Sequence, residues 1–143
     1  MMNKIFFIIL FVMVVFLKDL KAQYGVPDTL TYLHNIVNNK NQYIGQYFSV
    51  LQNSLNIQVK YFHPRRGVTY DTDRETSTKF SFYFPDECDD LYLASPYLEI
   101  YWLTPLNAIQ SFLLYNSNNG GGWNTAVYNF YKNAIIRDIK VRE

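Results

Sequence analysis

The side chains best suited to catalysis or metal binding are few in this chain. There are two histidines, His34 and His63, and a single cysteine, Cys88. No histidine or cysteine pair has the spacing of a structural zinc site, and a Cys88–His63 nucleophile pair has no local sequence signature. We therefore expect the protein not to be an enzyme. A small hydrolase that uses His63 with loop carboxylates is the alternative.

Carboxylates crowd into one short segment, which contains Asp86, Glu87, Asp89 and Asp90. Like charges at this density repel one another and favour solvent, a basic partner or a divalent cation. Calcium is the relevant cation, because hard cations bind several oxygen ligands. The sequence predicts a solvated acidic loop, with weak calcium binding at these four residues as the alternative, and it indicates no other cofactor.

Tyrosine is the most unusual part of the composition, with 13 residues among 143. Its side chain combines a large apolar ring with a polar hydroxyl and is enriched at recognition surfaces. If strands place them on one sheet face, Tyr83, Tyr97 and Tyr101 would form a row able to stack on sugar rings or on a peptide. The alternative is that such rings replace aliphatic side chains in an ordinary core and its rim.

Three glycines at 120–122 directly precede Trp123. They do not form a phosphate-binding loop, because no Gly-Lys-Ser/Thr sequence follows and the preceding pattern is helical. We interpret 116–122 as a flexible loop. It either presents Trp123 to a ligand, as a fourth binding residue, or lets the indole ring pack back onto the core.

The first 22 residues have the pattern of a secretory signal peptide. Lys4 precedes an uninterrupted apolar run over 5–17, and Ala22 supplies a small residue before a cleavage site. That run is shorter than the roughly 17–25 residues of a spanning helix, and an uncleaved anchor is the alternative. We therefore expect a secreted or periplasmic protein of the bacterial envelope, with 23–143 as a single domain that has no membrane span.

Periodicity predicts the order of the secondary structure elements. Apolar residues at helical spacing predict helices over 28–39, 44–55 and 125–132. A plausible cap and first turn at Thr104–Pro105 predict a further helix over 105–115. Alternation with a period of two predicts strands over 57–63, 79–84, 96–103 and 134–142. The polar segments 64–78 and 86–95 are predicted to be loops.

Consecutive strands without a helix between them favour antiparallel pairing. The predicted fold class is therefore α+β, with a small antiparallel sheet of three to four strands. The N-terminal helices and one further helix would pack on one face of that sheet. The other face would carry polar and tyrosine side chains and contact solvent.

The composition excludes several classes of protein. With 49% hydrophobic and 18% aromatic residues, the chain is too apolar to be disordered. A net charge of +1 without a basic run argues against a nucleic-acid-binding protein. The sequence predicts a non-catalytic binding module that uses an aromatic sheet face to bind a protein, a peptide or a glycan. A structural subunit that pairs through a strand edge is a second alternative, beside the hydrolase.

Overall fold

The computed structural model describes residues 28–68, 70–83 and 95–143. The helices are α1 (Thr29–Asn38), α2 (Phe48–Ser54), α3 (Ala108–Ser117) and α4 (Thr125–Tyr131), and a short 3-10 helix covers Lys40–Gln42. The strands are β1 (Tyr61–Val68), β2 (Asp71–Ser81), β3 (Tyr97–Asn107) and β4 (Ile136–Arg142). The predicted signal peptide over 1–22 and the acidic cluster over 86–90 lie outside the described residues.

The strands form one four-stranded sheet in the order β1-β2-β3-β4, and every neighbouring pair is antiparallel. The helices α3 and α4 are inserted between β3 and β4 in the chain. This arrangement confirms the predicted α+β class and the antiparallel pairing.

The hydrophobic core lies between one face of the sheet and the helices. Strand side chains such as Phe80 and Trp102 pack there with Phe48 of α2 and Tyr131 of α4. The rings of Phe48 and Phe80 are stacked with centroids 4.8 Å apart, and those of Trp102 and Tyr131 are stacked at 5.6 Å. Contact between large aromatic rings therefore joins the helices to the sheet.

The first helix begins and packs as its sequence predicts. The Asp28 side chain accepts hydrogen bonds from the backbone N–H groups of Leu30 and Thr31 at 3.1 and 3.4 Å, which is an N-cap. The hydrogen bonds from Thr31 lower the pKa of this carboxyl. Leu33 and Ile36 are buried against the core, which confirms the prediction over 28–39.

The predicted helix over 44–55 is wrong in its first turn. Helix α2 begins only at Phe48, and Ile44 and Tyr47 are 37% and 53% exposed. The backbone before Phe48 pairs instead with the chain entering β4, since Gly45 N–H donates to the carbonyl of Ile136 at 2.8 Å. The apolar pattern at helical spacing extends over the residues before Phe48, but the backbone there forms hydrogen bonds with the chain entering β4 and not within a helix.

The predicted loop over 64–78 is wrong, because most of it forms the long β1–β2 hairpin. In this hairpin Arg65 pairs with Ser77 in register. The predicted strand over 57–63 begins too early, since β1 begins at Tyr61. Ile57 and Val59 are buried although they precede the strand, and Phe62 is buried within it. Most side chains over 64–78 are polar, so no apolar pattern indicates strands in this segment.

The third strand confirms its predicted face and corrects its predicted end. Side chains at Leu98, Ile100 and Trp102 are buried, as the alternation predicts. However, β3 continues to Asn107, so the helix predicted over 105–115 begins later, at Ala108. Asn107 caps it by accepting a hydrogen bond from the Gln110 N–H at 3.0 Å. The final helix and strand have the predicted order.

Candidate functional site

The sheet face that turns away from the helices, here called the second face, carries three rows of side chains set by the antiparallel register. The rows are Tyr61, Ser81, Tyr97 and Arg142; His63, Lys79, Glu99 and Lys140; and Arg65, Ser77, Tyr101 and Asp138. Charged groups outnumber aromatic rings on this face, which was predicted to be an aromatic platform.

Two of the predicted tyrosines lie on the second face, and cations cover their rings. Lys79 Nζ lies 4.0 Å from the Tyr97 ring centroid. Lys140 Nζ and the Arg137 guanidinium lie 4.8 and 5.8 Å from that of Tyr101. These distances are within the range of cation–π attraction. Neither ring is therefore a bare surface on which a sugar could stack.

The predicted row of three tyrosines is not formed, because Tyr83 lies beyond the end of β2. Its hydroxyl donates a hydrogen bond to Thr29 Oγ1 at 2.8 Å, and its half-buried ring packs against the core. The period of two that placed Tyr83 beside Tyr101 stops with the strand at Ser81. Its ring therefore joins the end of β2 to the start of α1.

Trp123 is held in place by the edge of the sheet. Its backbone N–H donates to the Lys60 carbonyl at 3.0 Å, and Phe62 N–H donates to the Gly121 carbonyl at 2.8 Å. Gly121 has a φ of +117°, and a Cβ there would lie 2.4 Å from the Phe62 carbonyl oxygen. Only glycine allows this close approach, so the glycine run fixes the backbone that carries Trp123.

The indole of Trp123 packs against the core and also reaches the surface. It contacts the rings of Phe48, Phe62 and Phe80, with centroid distances of 6.2, 6.3 and 5.6 Å. It is also partly exposed and borders a cleft of about 450 Å³. We call this the Trp123 cleft, and its lining residues are Gln52, Asn53, Trp123, Asn124, Thr125 and Tyr128.

Several polar groups in the Trp123 cleft have no protein partner. Gln52 Oε1 is buried and accepts no hydrogen bond from any described residue. Within the described ranges, the Trp123 indole N–H, the Asn53 amide and the Tyr128 hydroxyl also form no hydrogen bond. Asn124 differs, because its Oδ1 accepts from Val127 N–H at 3.0 Å and caps α4. The cleft thus offers the Asn53 amide, the Tyr128 hydroxyl and the Trp123 indole N–H as unpaired groups beside two aromatic rings, while Gln52 Oε1 is shielded from solvent.

A buried carboxylate, Glu75, lies in the aromatic core away from both the cleft and the second face. A β-bulge at Thr76 turns it inward. Its Oε1 accepts hydrogen bonds from the Tyr131 hydroxyl at 2.9 Å and from the Thr78 hydroxyl. Burial raises the pKa of Glu75 to about 6, although these hydrogen bonds oppose the change. The neutral acid is therefore favoured here more than in water.

His63, the residue of the predicted hydrolase alternative, lies among cations. It is directly opposite Lys79 in the register, and its ring centroid is 5.0 Å from that of Tyr115. Desolvation and the charges of Arg65 and Lys79 lower its pKa. The loop carboxylates of that hypothesis, Asp86 to Asp90, lie outside the described residues. Over 28–68, 70–83 and 95–143, no cluster of three metal-binding side chains occurs.

Both edge strands of the sheet are covered over part of their length by the chain itself. On β1, Tyr61 forms an isolated bridge with Gly122, and on the β4 side Tyr47 forms one with Ile135. The hydrogen bonds of these bridges use edge groups that a partner strand would need. The strand-edge alternative is thus limited to the remaining parts of the edges.

Comparisons with protein-family models, with curated proteins and with solved structures found no match to this chain. Among the residues that the structure describes, no helix has both the length and the apolar character needed to cross a membrane.

Sequence reasoning identified Trp123 and missed the other residues of its cleft. Gln52 and Asn53 belong to α2, and Tyr128 belongs to α4. Each lies beside buried positions of a short helix, where a polar residue is ordinary. The one available signal was that both helices were predicted to be amphipathic. Nothing in the sequence indicates that their polar sides meet at the same tryptophan.

Proposed function

We propose that this protein is a non-catalytic binding protein and that its Trp123 cleft binds a neutral saccharide. One observation supports this most strongly. Two aromatic rings and several polar side-chain groups without protein partners line the same cleft of about 450 Å³. That volume lies within the roughly 300–1,000 Å³ of small-molecule sites, which combine apolar walls with a few polar groups.

The chemistry of the lining complements a sugar ring. A pyranose has apolar C–H faces, and its hydroxyls both donate and accept hydrogen bonds. The rings of Trp123 and Tyr128 supply apolar surface for the C–H groups. The side-chain amides of Gln52 and Asn53 line the cleft, and an amide group can both donate and accept hydrogen bonds. Each unpartnered group thus has a counterpart on the ligand.

The absence of formal charge among the lining residues favours a neutral ligand. All six lining side chains are amides, a hydroxyl or aromatic rings. An anionic or cationic ligand would lose hydration on entering the cleft without gaining an opposite charge. This distinguishes the cleft from the second face, where cations are concentrated.

The cleft is also held in shape before any ligand binds. The backbone hydrogen bond to Lys60 and the contacts with core rings fix Trp123, and its N-cap bond fixes Asn124. A fixed site loses less conformational entropy on binding. If the predicted signal peptide directs export, the saccharide would be met in the bacterial envelope or outside the cell.

Replacing Gln52 tests the proposal without removing the aromatic wall. We expect Gln52→Leu to weaken binding of neutral oligosaccharides about ten-fold, because the ligand loses a hydrogen-bonding amide from the cleft lining. We also expect the variant to be as stable as the wild type, or about 1 kcal/mol more stable, because a buried unpaired oxygen is removed. Calorimetric titration with cellotetraose, maltotetraose and chitotetraose measures the affinity, and urea unfolding measures the stability.

Gln58→Leu is the matched control, because Gln58 is exposed and is not one of the lining residues. It should leave oligosaccharide affinity unchanged. Failure of all three oligosaccharides to bind the wild-type protein, or equal affinities for wild type and Gln52→Leu, would contradict the proposal. Loss of binding together with a large loss of stability would also contradict it, since Gln52 would then act structurally.

A further inference from the structure

We propose that the end of the second face near Leu103 binds the surface of an anionic lipid bilayer. Exposed apolar side chains and cations lie together there on one side of the sheet, and the strand register fixes both sets. This surface shares no residue with the lining of the Trp123 cleft, so it does not depend on the saccharide proposal. The contact is peripheral and needs no helix that crosses the membrane.

Three apolar side chains lie side by side at this end of the second face. Trp102 and Ile136 are paired in register, and both are buried in the core. The residues next to them, Leu103 and Ile135, therefore point to the second face. Leu103 N–H donates to the Ile135 carbonyl at 2.9 Å, and Ile135 in turn forms a bridge with Tyr47. We call Leu103, Ile135 and Tyr47 the apolar row.

The apolar row is open to solvent. Leu103 is 56% exposed and Tyr47 is 53% exposed, whereas Ile135 between them is partly buried. Ile44, three residues before Tyr47, is 37% exposed and enlarges the apolar surface. Contiguous exposed apolar groups mark places where a folded protein contacts a partner or a membrane.

Two cations lie beside the apolar row on the same face. Lys140 Nζ and the Arg137 guanidinium are 4.8 and 5.8 Å from the ring centroid of Tyr101, which lies two residues before the row on β3. Both residues are exposed, and neither forms an ion pair with a carboxylate in the described part of the chain. Asp138, the carboxylate of the same strand, is bound by Lys40. The charges of Arg137 and Lys140 are therefore available to an anionic surface.

The second face as a whole carries excess positive charge. Its five cations are Arg65, Lys79, Arg137, Lys140 and Arg142, and its two carboxylates are Glu99 and Asp138. The whole sequence has a net charge of only +1, so positive charge is concentrated on this face. A second copy of the chain would bring these cations against one another, whereas anionic lipids attract them.

The spacing of the apolar and cationic groups matches the layers of a bilayer surface. Alternate residues of a strand are roughly 7 Å apart, which is therefore the distance between neighbouring rows of this face. Peripheral proteins bury their apolar groups roughly 5–10 Å into the boundary between headgroups and acyl chains. With the apolar row at that depth, Arg137 and Lys140 would lie at the level of the lipid phosphates. A partner that offers charge alone, such as the phosphate backbone of DNA, would leave Leu103 and Tyr47 without an apolar contact.

Co-sedimentation with lipid vesicles tests the proposal. We expect the protein to bind vesicles made of equal parts phosphatidylcholine and phosphatidylglycerol more tightly than vesicles of phosphatidylcholine alone. Arg137→Gln and Lys140→Gln should each weaken binding to the anionic vesicles about five-fold. Leu103→Ser should weaken it about ten-fold, because an apolar side chain no longer enters the bilayer. Since all three side chains are exposed, the variants should unfold in urea as the wild type does.

Lys132→Gln and Leu113→Ser are the matched controls. They remove the same kinds of group from the end of α4 and from α3, which pack on the other face of the sheet, and Leu113 is 63% exposed. Both should bind anionic vesicles as the wild type does. Losses in the controls as large as those in Arg137→Gln and Leu103→Ser would overturn the proposal.

Nitroxide-labelled phosphatidylglycerol in bicelles identifies the residues that contact lipid, whether or not residues 1–22 are present. It should broaden the backbone amide signals of Leu103 and Ile135 more than those of α3. Equal binding of the wild-type protein to both kinds of vesicle, or broadening confined to other residues, would overturn the proposal. Binding to double-stranded DNA that Arg137→Gln weakens and Leu103→Ser does not, without binding to vesicles, would overturn it in favour of nucleic acid.

Discussion

Phe48→Ala is expected to lower the free energy of unfolding by about 3–5 kcal/mol, which is the range for removing a fully buried phenylalanine side chain. Phe48 is 1% exposed and stacks on Phe80 with centroids 4.8 Å apart. It also contacts Trp102 and Tyr131 edge to face, at 5.9 and 6.4 Å. The cavity would open where α2 meets the sheet.

Urea unfolding of Phe48→Ala and of Val50→Ala measures this effect on one helix. Val50 is 44% exposed, and its replacement should change the stability by about 0.5 kcal/mol or less. A loss below about 1 kcal/mol for Phe48→Ala would show that α2 does not pack against the sheet as described. Similar losses of stability for Phe48→Ala and Val50→Ala would also contradict the described packing of α2 against the sheet.

Glu75→Gln is expected to change how stability depends on pH. The pKa of Glu75 is about 6 in the folded protein, against 4.5 for an unperturbed glutamate. Between these two pH values the folded state keeps a proton that the unfolded state has released. Stability from this group is therefore present below about pH 4.5 and falls as the pH rises through 6. The total loss is about 2 kcal/mol.

Glutamine resembles the neutral acid in shape and does not titrate. The two proteins should therefore have similar stability near pH 4, and the variant should be about 2 kcal/mol more stable near pH 7. Subtracting the free energy of unfolding of one protein from that of the other at each pH removes the contribution of every other titrating group. A difference that stays constant between these pH values would show that Glu75 has an ordinary pKa.

The parts of the fold that the sequence predicts are those where one side of an element is buried and the other is not. Helix α1 shows its apolar stripe and its Asp28 cap, and β3 shows strict alternation at Leu98, Ile100 and Trp102. The last helix and strand are also ordered as predicted, because the period changes there from helical to two.

The part of the β1–β2 hairpin near its turn could not be predicted for a physical reason. Arg65, Arg66 and the residues from Asp71 to Arg74 are polar and mostly exposed, so this part of the two strands carries no apolar face. Pairing with the neighbouring strand holds them in place, and that interaction is not local in the sequence. The inward turn of Glu75 depends on the bulge in this pairing. The sequence therefore does not indicate that this carboxylate is buried.

The candidate site, like the fold, could be predicted from the sequence only in part. The aromatic and glycine residues at 120–123 drew attention to Trp123, because their composition is unusual. The polar groups that give the cleft its chemistry come from α2 and α4, and contact between distant segments brings them together. Conversely, composition suggested an aromatic sheet face, but the register places lysine and arginine side chains over Tyr97 and Tyr101.

The two tryptophans of this chain provide the most direct test of the saccharide site. Trp102 is buried, and its indole N–H donates to Thr78 Oγ1 at 2.9 Å. Trp123 lines the cleft, and its indole N–H forms no hydrogen bond with any residue that the structure describes. Titration of the ¹⁵N-labelled protein with the three oligosaccharides follows both indole signals in one spectrum. We expect at least one sugar to shift the Trp123 signal in a saturable way while the Trp102 signal stays in place. No shift at Trp123 with any of the sugars, or equal shifts at both indoles, would contradict the account.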